Sequence, residues 1–170
     1  RRMELLSDSA ATDESTSVAE VRGVVEHAIA LACLGKSRDR VRLHAPAGPV
    51  HAAARPTDLL QILLHAIGNA LESGADDASG VDVEILADEA RVTVRVLDRG
   101  PGLPVGDASK LFHPFYTTKR PGRGLGMGLS LAWELARQSG GTLEALAREG
   151  GGVELRLALP VSDSGPPPRP

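Results

Sequence analysis

The sequence predicts an α+β fold, a two-layer sandwich in which helices cover one face of a single mixed, mostly antiparallel sheet. Three segments repeat apolar residues at helical spacing, and two segments alternate apolar and polar residues around a turn, as β-hairpins do. The order along the chain is helix, two strands, helix, hairpin, loop, helix, hairpin. Hairpins join antiparallel strands, so this order excludes a doubly wound parallel sheet.

The first half of the chain contains two helices with two short strands between them. Apolar residues at helical spacing predict the first helix over 18–34, with Ser17 as its N-cap. Strands are predicted at 40–45 and 50–54, because the turn sequence PAGP separates them. The strongest helix is predicted over 56–74, since a proline suits its first turn and a glycine its end.

The helix predicted over 56–74 has two unlike sides. At about 100° per residue, large apolar side chains gather on one side and polar side chains on the other. The apolar set comprises Leu60, Leu63, Leu64, Ile67 and Leu71, and the polar set comprises His65, Asn69 and Glu72. The polar side is either a solvated face or one wall of a binding site.

The second half is predicted to contain two hairpins, a long loop and a third helix. Alternating valines mark the first hairpin, and four prolines mark the loop. In order, the elements are a hairpin over 80–98 with its turn at 88–90, a loop over 99–125, a helix over 126–139, and a hairpin with strands at 142–147 and 153–159.

Composition excludes several classes of function. A formal net charge of −3 gives no general attraction to nucleic acid or to an acidic membrane surface, and 2% aromatic residues offer no platform for stacking bases. The single cysteine, Cys33, excludes an internal disulfide and a cysteine metal cluster, and it suits a reducing compartment. No apolar run is long enough to span a membrane and no signal-peptide pattern opens the chain, so a cytoplasmic domain without membrane contact is expected.

The chain is expected to be one domain cut from a longer protein. Its 170 residues suit a single hydrophobic core, and its first residue is Arg1 rather than Met. The expected parts are a flexible lead-in or the end of a preceding helical domain at 1–16, a globular domain at 17–160 and a disordered tail at 161–170.

A glycine-rich stretch, TTKRPGRGLGMGLSLAWELARQSGG, occupies residues 117–141 and places glycine at every second position directly ahead of a helix. Glycines let backbone N–H groups approach an anion, and a helix N-terminus adds unpaired N–H groups and a positive dipole end. The stretch therefore indicates either a phosphate site or a flexible surface loop. A Walker loop is excluded at ALACLGKS, because Ala30 stands where that motif needs glycine, and the dinucleotide fingerprint GxGxxG is absent.

Two further features are compatible with a nucleotide site. Asn69 lies four residues after His65, so the two side chains are neighbours, and an amide oxygen is a suitable ligand for Mg²⁺. The sequence LDRGPGLP places Asp98 at a strand end before two glycines. An aspartate there can accept a hydrogen bond from an exocyclic amine, or it can lie exposed in a tight turn.

These stretches occur in one order, and together they resemble the ATP-binding domain of sensor histidine kinases. This domain belongs to the superfamily shared with DNA gyrase, the Hsp90 chaperones and MutL, and the resemblance covers residues from about 18 to 160. LLQILLHAIGNALESG resembles the asparagine box, DRGPGL the first glycine box and GRGLGMGLSLAWELARQSGG the second. LFHPFYTTK resembles the phenylalanine box of kinases of the nitrogen-regulation type, and GGGVELRLALP the last strand of the family.

The resemblance implies a Mg-ATP site in the histidine kinase-type ATPase fold and assigns its residues. Asn69 would hold Mg²⁺ on the ATP phosphates, and Asp98 would accept the adenine amino group beside Gly100 and Gly102. The residues implied in phosphate binding are Thr118, Lys119, Arg123, Gly124, Leu125, Gly126, Met127, Gly128 and Leu129. Among these, Lys119 would also act in catalysis as a cation on the phosphates.

The resemblance also implies a lid over the nucleotide. Phe112 and Phe115 would anchor this lid, which would run to about Gly124. A loop that opens for nucleotide exchange and closes over a triphosphate explains the alternating glycines.

The sequence departs from the family pattern at two positions. The family commonly has asparagine, or glutamate acting as general base in the gyrase relatives, where this chain has His65. A neutral imidazole could act as a general base, or it could orient a water or a phosphate oxygen as asparagine would; the second reading is favoured. The second departure is Val153, where the family commonly has a threonine that helps to bind adenine through water.

The function implied is transfer of the γ-phosphoryl group of ATP to a histidine on a separate dimerisation domain. His27 lacks the sequence that surrounds a phosphoacceptor histidine, so that domain is absent from this chain. The implied partners are ATP, the dimerisation domain of the same parent protein, which is expected to be a homodimer, and a response regulator receiver domain. The alternatives are a serine kinase of the anti-sigma type and a nucleotide-sensing or non-catalytic interaction module.

Overall fold

The computed structural model describes residues 18–35, 38–73, 80–104, 108–116 and 126–162, and it confirms the predicted α+β fold class. The helices are α1 (Val21–Ala32), α2 (Pro56–Ser73) and α3 (Gly128–Gln138), with short 3₁₀ helices at 38–40 and 108–112. The strands are β1 (Ala19–Glu20), β2 (Val41–His44), β3 (His51–Ala52), β4 (Val81–Ala87), β5 (Arg91–Leu97), β6 (Thr142–Ala147) and β7 (Val153–Pro160). The predicted lead-in lies outside the described residues, as does all but the first two residues of the predicted tail.

Five strands form the main sheet in the order β2-β4-β5-β7-β6. Both predicted hairpins are present: β4 pairs with β5 and β6 with β7, each antiparallel. β5 also pairs antiparallel with β7, whereas β2 pairs parallel with β4. The parallel pair is possible because the connection from β2 to β4 is long and includes α2. The sheet is therefore mixed and mostly antiparallel, as predicted.

The predicted strand at 50–54 does not join this sheet. Only His51 and Ala52 form β3, which pairs antiparallel with β1. Val161 forms a bridge with Ala52 from the other side, and the Ser162 N–H donates to the His51 carbonyl at 2.9 Å. This small second sheet joins the first described residues to the chain that follows β7.

The first helix begins three residues later than predicted. Ala19 and Glu20 pair with β3, so α1 starts at Val21. The carboxylate of Glu20 caps the helix by accepting hydrogen bonds from the N–H groups of Arg22 at 3.1 Å and Gly23 at 2.7 Å. The predicted cap, Ser17, lies outside the described residues, and the prediction that the helix starts at 18 was wrong because a non-local strand pairing takes these residues.

α2 packs against both α1 and α3, and these helices cover one face of the sheet, where the core lies. The buried face of α2 is centred slightly differently from the prediction, since Leu60 and Leu64 are only half-buried. The buried apolar residues of α2 are Leu59, Ile62, Leu63, Ala66, Ile67, Ala70 and Leu71. The half-buried side chain of Leu64 is thereby left to line a cleft beside the core.

The opposite face of the sheet is polar. Arg95 on β5 donates to Glu84 on β4 at 2.7 Å and to Glu154 on β7 at 2.8 Å. The hydrogen bond from Arg95 lowers the pKa of Glu154, and Arg156 adds to the same effect. β5 alternates between these polar residues and buried valines until Leu97, and the strand end then carries Asp98 to the rim of the helical layer.

Candidate functional site

A cleft of about 490 Å³ lies between α2, the start of α3 and the adjoining ends of β5 and β7. This volume is within the range of about 300–1,000 Å³ that small-molecule sites occupy. The residues that line the cleft are Leu64, His65, Gly68, Asn69, Glu72, Ser73, Asp98, Pro101, Gly102, Leu103, Pro104, Leu111, Tyr116, Gly126, Gly128, Leu129, Val153 and Leu155. The structure thus brings together the polar side of α2, the LDRGPGLP segment and the described end of the glycine-rich stretch.

Asp98 is a buried carboxylate with one engaged and one available oxygen. Its residue is 4% exposed, which excludes the reading of an exposed aspartate in a turn. Oδ1 accepts hydrogen bonds from the N–H of Gly100 at 2.8 Å and the N–H of Val153 at 3.1 Å. Oδ2 accepts none from the part of the chain that the structure describes. One oxygen is therefore structural, and the other can serve a ligand.

Gly152 packs against the backbone of Asp98 behind the site, and the sequence reasoning missed this role. It has a φ of +90°, and a Cβ built on it would lie 2.2 Å from the carbonyl oxygen of Asp98. The guanidinium of Arg148 donates to the same carbonyl oxygen. The signal in the sequence was the run of three glycines before the last strand, of which one must pass directly over the Asp98 backbone.

The two glycines assigned to the base pocket occupy different surroundings. Gly102 lines the cleft with a φ of +90°. Gly100 lies behind the cleft wall, where a Cβ would come within 2.8 Å of the carbonyl oxygen of Ser73 at the end of α2. Gly100 therefore holds the β5 end against α2 and donates its N–H to Asp98.

The polar side of α2 forms one wall of the cleft. His65, Asn69 and Glu72 all line it, with Gly68 and Ser73 between and beyond them. The side chain of Asn69 makes no hydrogen bond with the described residues, so its amide oxygen can accept a ligand. This side of α2 therefore lines a cleft, and its binding role stays a prediction.

The start of α3 forms the opposite wall. The helix begins at Gly128 rather than at the predicted Gly126, which has a φ of +68° outside the helix. Met127 is the N-cap and provides no side-chain hydrogen bond, and the first turn contains no acidic residue. The first N–H bonded back to this end is that of Leu131, to the Met127 carbonyl at 3.0 Å. The N–H groups of Gly128, Leu129 and Ser130 precede it and have no hydrogen-bond acceptor among the described residues, so they can donate to an anion.

The two phenylalanines predicted to anchor a lid differ in burial. Phe112 is half-buried and packs against the core, whereas Phe115 is 74% exposed. The N–H of Phe115 donates to the carbonyl of Gly126 at 3.0 Å, so the described residues on either side of 117–125 come together beside the cleft. Tyr116, which the sequence reasoning did not single out, lines the cleft at this point.

Five of the predicted phosphate-binding residues lie outside the described residues. They are Thr118, Lys119, Arg123, Gly124 and Leu125. Their roles remain predictions. Of the other residues in this set, Gly126, Gly128 and Leu129 line the cleft, and Met127 is 43% exposed beside them.

His65 occupies a half-buried position in the cleft wall. Removal of water from the charged imidazole by burial lowers the pKa of His65 below its ordinary value. The neutral ring therefore predominates at neutral pH. A neutral ring can accept a proton or a hydrogen bond, so the structure leaves both roles predicted for His65 open.

Acidification should destabilise the folded domain through His65. The pKa of His65 in the folded chain lies below the value of about 6.5 expected when the chain is unfolded. The contribution of the neutral ring to the stability of the fold is therefore complete above about pH 6.5, and it is lost as the pH falls through the folded-state pKa. We expect His65→Asn to reduce the fall in Tm between about pH 7.5 and about pH 5.5, measured without nucleotide. His27→Asn, at an exposed position on α1, is the control and should leave the fall unchanged. An equal fall in His65→Asn and wild type would show that His65 is not desolvated.

The cleft fits an adenine nucleotide with a magnesium ion. Asp98 offers a free buried oxygen to an amine, and the open first turn of α3 offers N–H groups to phosphates. Within the described ranges, no cluster of three or more histidine, cysteine or acidic residues could hold a metal ion. A metal ion would therefore depend on Asn69 and on oxygens of the ligand, as Mg²⁺ commonly does.

The sequence profile described as "Histidine kinase-, DNA gyrase B-, and HSP90-like ATPase" matches residues 54–163. The chain belongs to this family. The match begins just before α2 and ends just after β7, so it includes every described wall of the cleft. The family predicted from the sequence boxes is thereby confirmed.

Several curated relatives are sensor kinases. The chain is 39% identical over 131 residues to the signal transduction histidine-protein kinase AfsQ2 of Streptomyces coelicolor, which covers 75% of this chain and 24% of that protein. It is 36% identical over 110 residues to the C4-dicarboxylate transport sensor protein DctS of Rhodobacter capsulatus, covering 63% of this chain and 16% of that protein. The chain thus spans about a quarter or less of these two relatives.

Solved structures confirm the fold. The mycobacterial sensor histidine kinase MprB matches with a TM-score of 0.74 at 19% identity, over 85% of this chain and 98% of that one. The catalytic domain of histidine kinase ThkA matches with a TM-score of 0.73 at 23% identity, over 85% of this chain and 94% of that one.

Among the described residues, no helix is both long and apolar enough to cross a bilayer.

Proposed function

We propose that this chain is the Mg-ATP-binding catalytic domain of a two-component sensor histidine kinase and donates the γ-phosphoryl group of ATP to a histidine on a separate dimerisation domain. The observation that carries the proposal is one cleft with a buried, half-engaged carboxylate at one end and an open helix N-terminus at the other. Membership of the ATPase family and the sensor kinases among the relatives support it.

Each described wall of the cleft has a part in this proposal. Oδ2 of Asp98 accepts a hydrogen bond from the adenine amino group, while Oδ1 stays fixed by Gly100 and Val153. The apolar side chain of Val153 lines the base pocket without a polar contact of its own. Selectivity for adenine therefore depends mainly on Asp98.

The phosphate end is formed by α2 and α3 together. The N–H groups at the start of α3 donate to phosphate oxygens, and Asn69 on α2 provides an amide oxygen for Mg²⁺. When bound, Mg-ATP supplies the phosphoryl group, with the metal neutralising charge on the phosphates. Lys119 and Arg123 would add positive charge, and His65 would orient a water or a phosphate oxygen from the α2 wall. The chain thus acts chiefly by positioning and electrostatics.

The proposal extends to the parent protein. We propose that the dimerisation domain belongs to the same parent, that the parent is a homodimer with this domain in the cytoplasm, and that a response regulator receiver domain takes the phosphoryl group onward. The names of the relatives as sensor kinases support these partners.

A titration and a transfer assay test the proposal. We expect calorimetry to show that AMPPNP, a non-hydrolysable ATP analogue, binds in the presence of Mg²⁺ and more weakly without it. We expect ATP labelled at the γ-phosphate to label a sensor kinase dimerisation domain that retains its histidine, and not the same domain with glutamine in that place.

The alternatives predict different outcomes of the same assays. A phosphohistidine is acid-labile, whereas a phosphoserine survives acid, so acid-stable label on a supplied anti-sigma antagonist would indicate a serine kinase. Binding without transfer to either protein would indicate a nucleotide-sensing module. Failure of AMPPNP to bind would contradict both the proposal and the serine kinase, and it would indicate a non-catalytic interaction module.

A further inference from the structure

His65 on α2 and Gly128 at the start of α3 are in closer contact than a side chain on residue 128 would allow. A Cβ built on Gly128 would lie 2.8 Å from Nδ1, 3.4 Å from Cγ and 3.5 Å from Cε1 of His65. The ring edge centred on Nδ1 therefore faces the first residue of α3. Since Cβ atoms do not approach a ring nitrogen this closely, the two helices are nearer each other here than an alanine at 128 would allow without a shift.

Small residues continue along this side of α3. Ala132 and Ala136 follow Gly128 by four and eight residues, so they lie on the same side of the helix, and both are fully buried. This side of α3 is thus buried and packs closely over at least two turns. At the start of the helix, Gly128 lies against the imidazole of His65 on α2.

Packing rather than hydrogen bonding holds the ring in place. His65 makes no hydrogen bond with the residues that the structure describes, and its half-buried ring lines the cleft. Gly128, which lies against this ring, and Leu129 are the first two residues of α3, and the side chain of Met127 does not cap their N–H groups. A side chain at residue 128 would therefore require either the ring or the start of α3 to shift.

We propose that His65 is a positioning residue for the triphosphate: its ring edge against Gly128 sets the gap between α2 and the first turn of α3, and thereby places the N–H groups that bind the phosphates. This inference rests on the proposed function and adds to it a role for the residue that replaces the asparagine of the family. The base end of the cleft, at Asp98 and Val153, is built by other elements and does not depend on this contact.

We expect substitutions at this contact to weaken binding of a triphosphate nucleotide much more than binding of adenosine, which has no phosphates. Gly128→Ala should force the ring and the first turn apart and weaken binding of Mg-AMPPNP about tenfold, while binding of adenosine changes less than about twofold. His65→Ala removes the ring edge and should also weaken Mg-AMPPNP, by about fivefold, without affecting adenosine. In the double variant the new methyl group fills part of the space left by the ring, so most of the Mg-AMPPNP affinity should return.

The experiment is a double-mutant cycle on the whole chain. Mg-AMPPNP affinity is measured by calorimetry and adenosine affinity by ligand-observed NMR for wild type, His65→Ala, Gly128→Ala and the double variant, with thermal unfolding of each. Gly48→Ala is the matched control, because a Cβ there meets no atom within 4 Å and Gly48 is not among the cleft residues.

The outcomes separate the inference from the function on which it rests. A double variant that loses as much Mg-AMPPNP affinity as the product of the two single losses would overturn the positioning role. So would parallel losses of Mg-AMPPNP and adenosine, since they would indicate general damage to the domain. If Gly128→Ala does not fold, the test is His65→Ala alone, which should weaken Mg-AMPPNP and leave adenosine binding unchanged. If the wild type binds neither ligand, the proposed function fails together with the inference.

Discussion

Replacing Asp98 with asparagine should abolish useful binding of adenine nucleotides while leaving the domain folded. The asparagine side-chain oxygen can still accept the two N–H groups that Oδ1 accepts now, from Gly100 at 2.8 Å and Val153 at 3.1 Å. The amide NH₂ then takes the place of Oδ2 and presents donors to the adenine amino group, which is itself a donor. A lost charged hydrogen bond and an opposed pair of donors should weaken ATP about 30- to 100-fold.

The measurement is a calorimetric titration of wild type and Asp98→Asn with Mg-AMPPNP, with Tm as the check on folding. Asp88→Asn is a closely matched control, because Oδ1 of Asp88 also accepts two backbone N–H groups, from Ala90 and Arg91, each at 2.8 Å. Asp88 lies in the β4–β5 turn and is not among the cleft residues, so Asp88→Asn should bind as the wild type does. If Asp98→Asn bound Mg-AMPPNP with unchanged affinity, the base pocket would not be at Asp98.

Replacing Gly152 with alanine should have the largest effect on stability. A Cβ at this position would lie 2.2 Å from the carbonyl oxygen and 2.9 Å from the carbonyl carbon of Asp98, and the φ of +90° adds backbone strain. The start of β7 would have to move away from the end of β5, which would disturb the N–H of Val153 on Asp98. We expect a loss of about 3 kcal/mol or more in the free energy of unfolding and weaker Mg-AMPPNP binding.

The same turn provides the control for Gly152→Ala. Gly150 has a φ of +85°, yet a Cβ there would meet no atom within 4 Å. Gly150→Ala should therefore cost only the backbone strain, about 1–2 kcal/mol, and leave nucleotide binding intact. Chemical denaturation of both variants checks the difference, and equal losses would show that the contact with Asp98 does not restrict residue 152.

Local sequence signals were sufficient to predict most of the elements that form the cleft. Pro56 and the helical spacing after it located α2, and the alternating strand before Asp98 located the β5 end. The order of the boxes then brought α2, Asp98 and the start of α3 together, and the structure places them around one cleft. Each of these signals lies within a short stretch of chain.

The features that sequence reasoning missed depend on contacts between distant segments. The two-residue strand β1 exists because it pairs with β3, and this pairing moved the start of α1 to Val21. The need for glycine at 152 comes from the Asp98 carbonyl, and that at 128 from the His65 ring. No local propensity carries such information, because each requirement arises only when the layers pack.

A crystal structure of the chain with Mg-AMPPNP would show directly where an adenine nucleotide lies in the cleft. We expect the adenine amino group within hydrogen-bonding distance of Oδ2 of Asp98, the phosphates at the N–H groups of Gly128 and Leu129, and the metal ion at Asn69. A purine bound away from Asp98, or phosphates held away from the start of α3, would contradict the account.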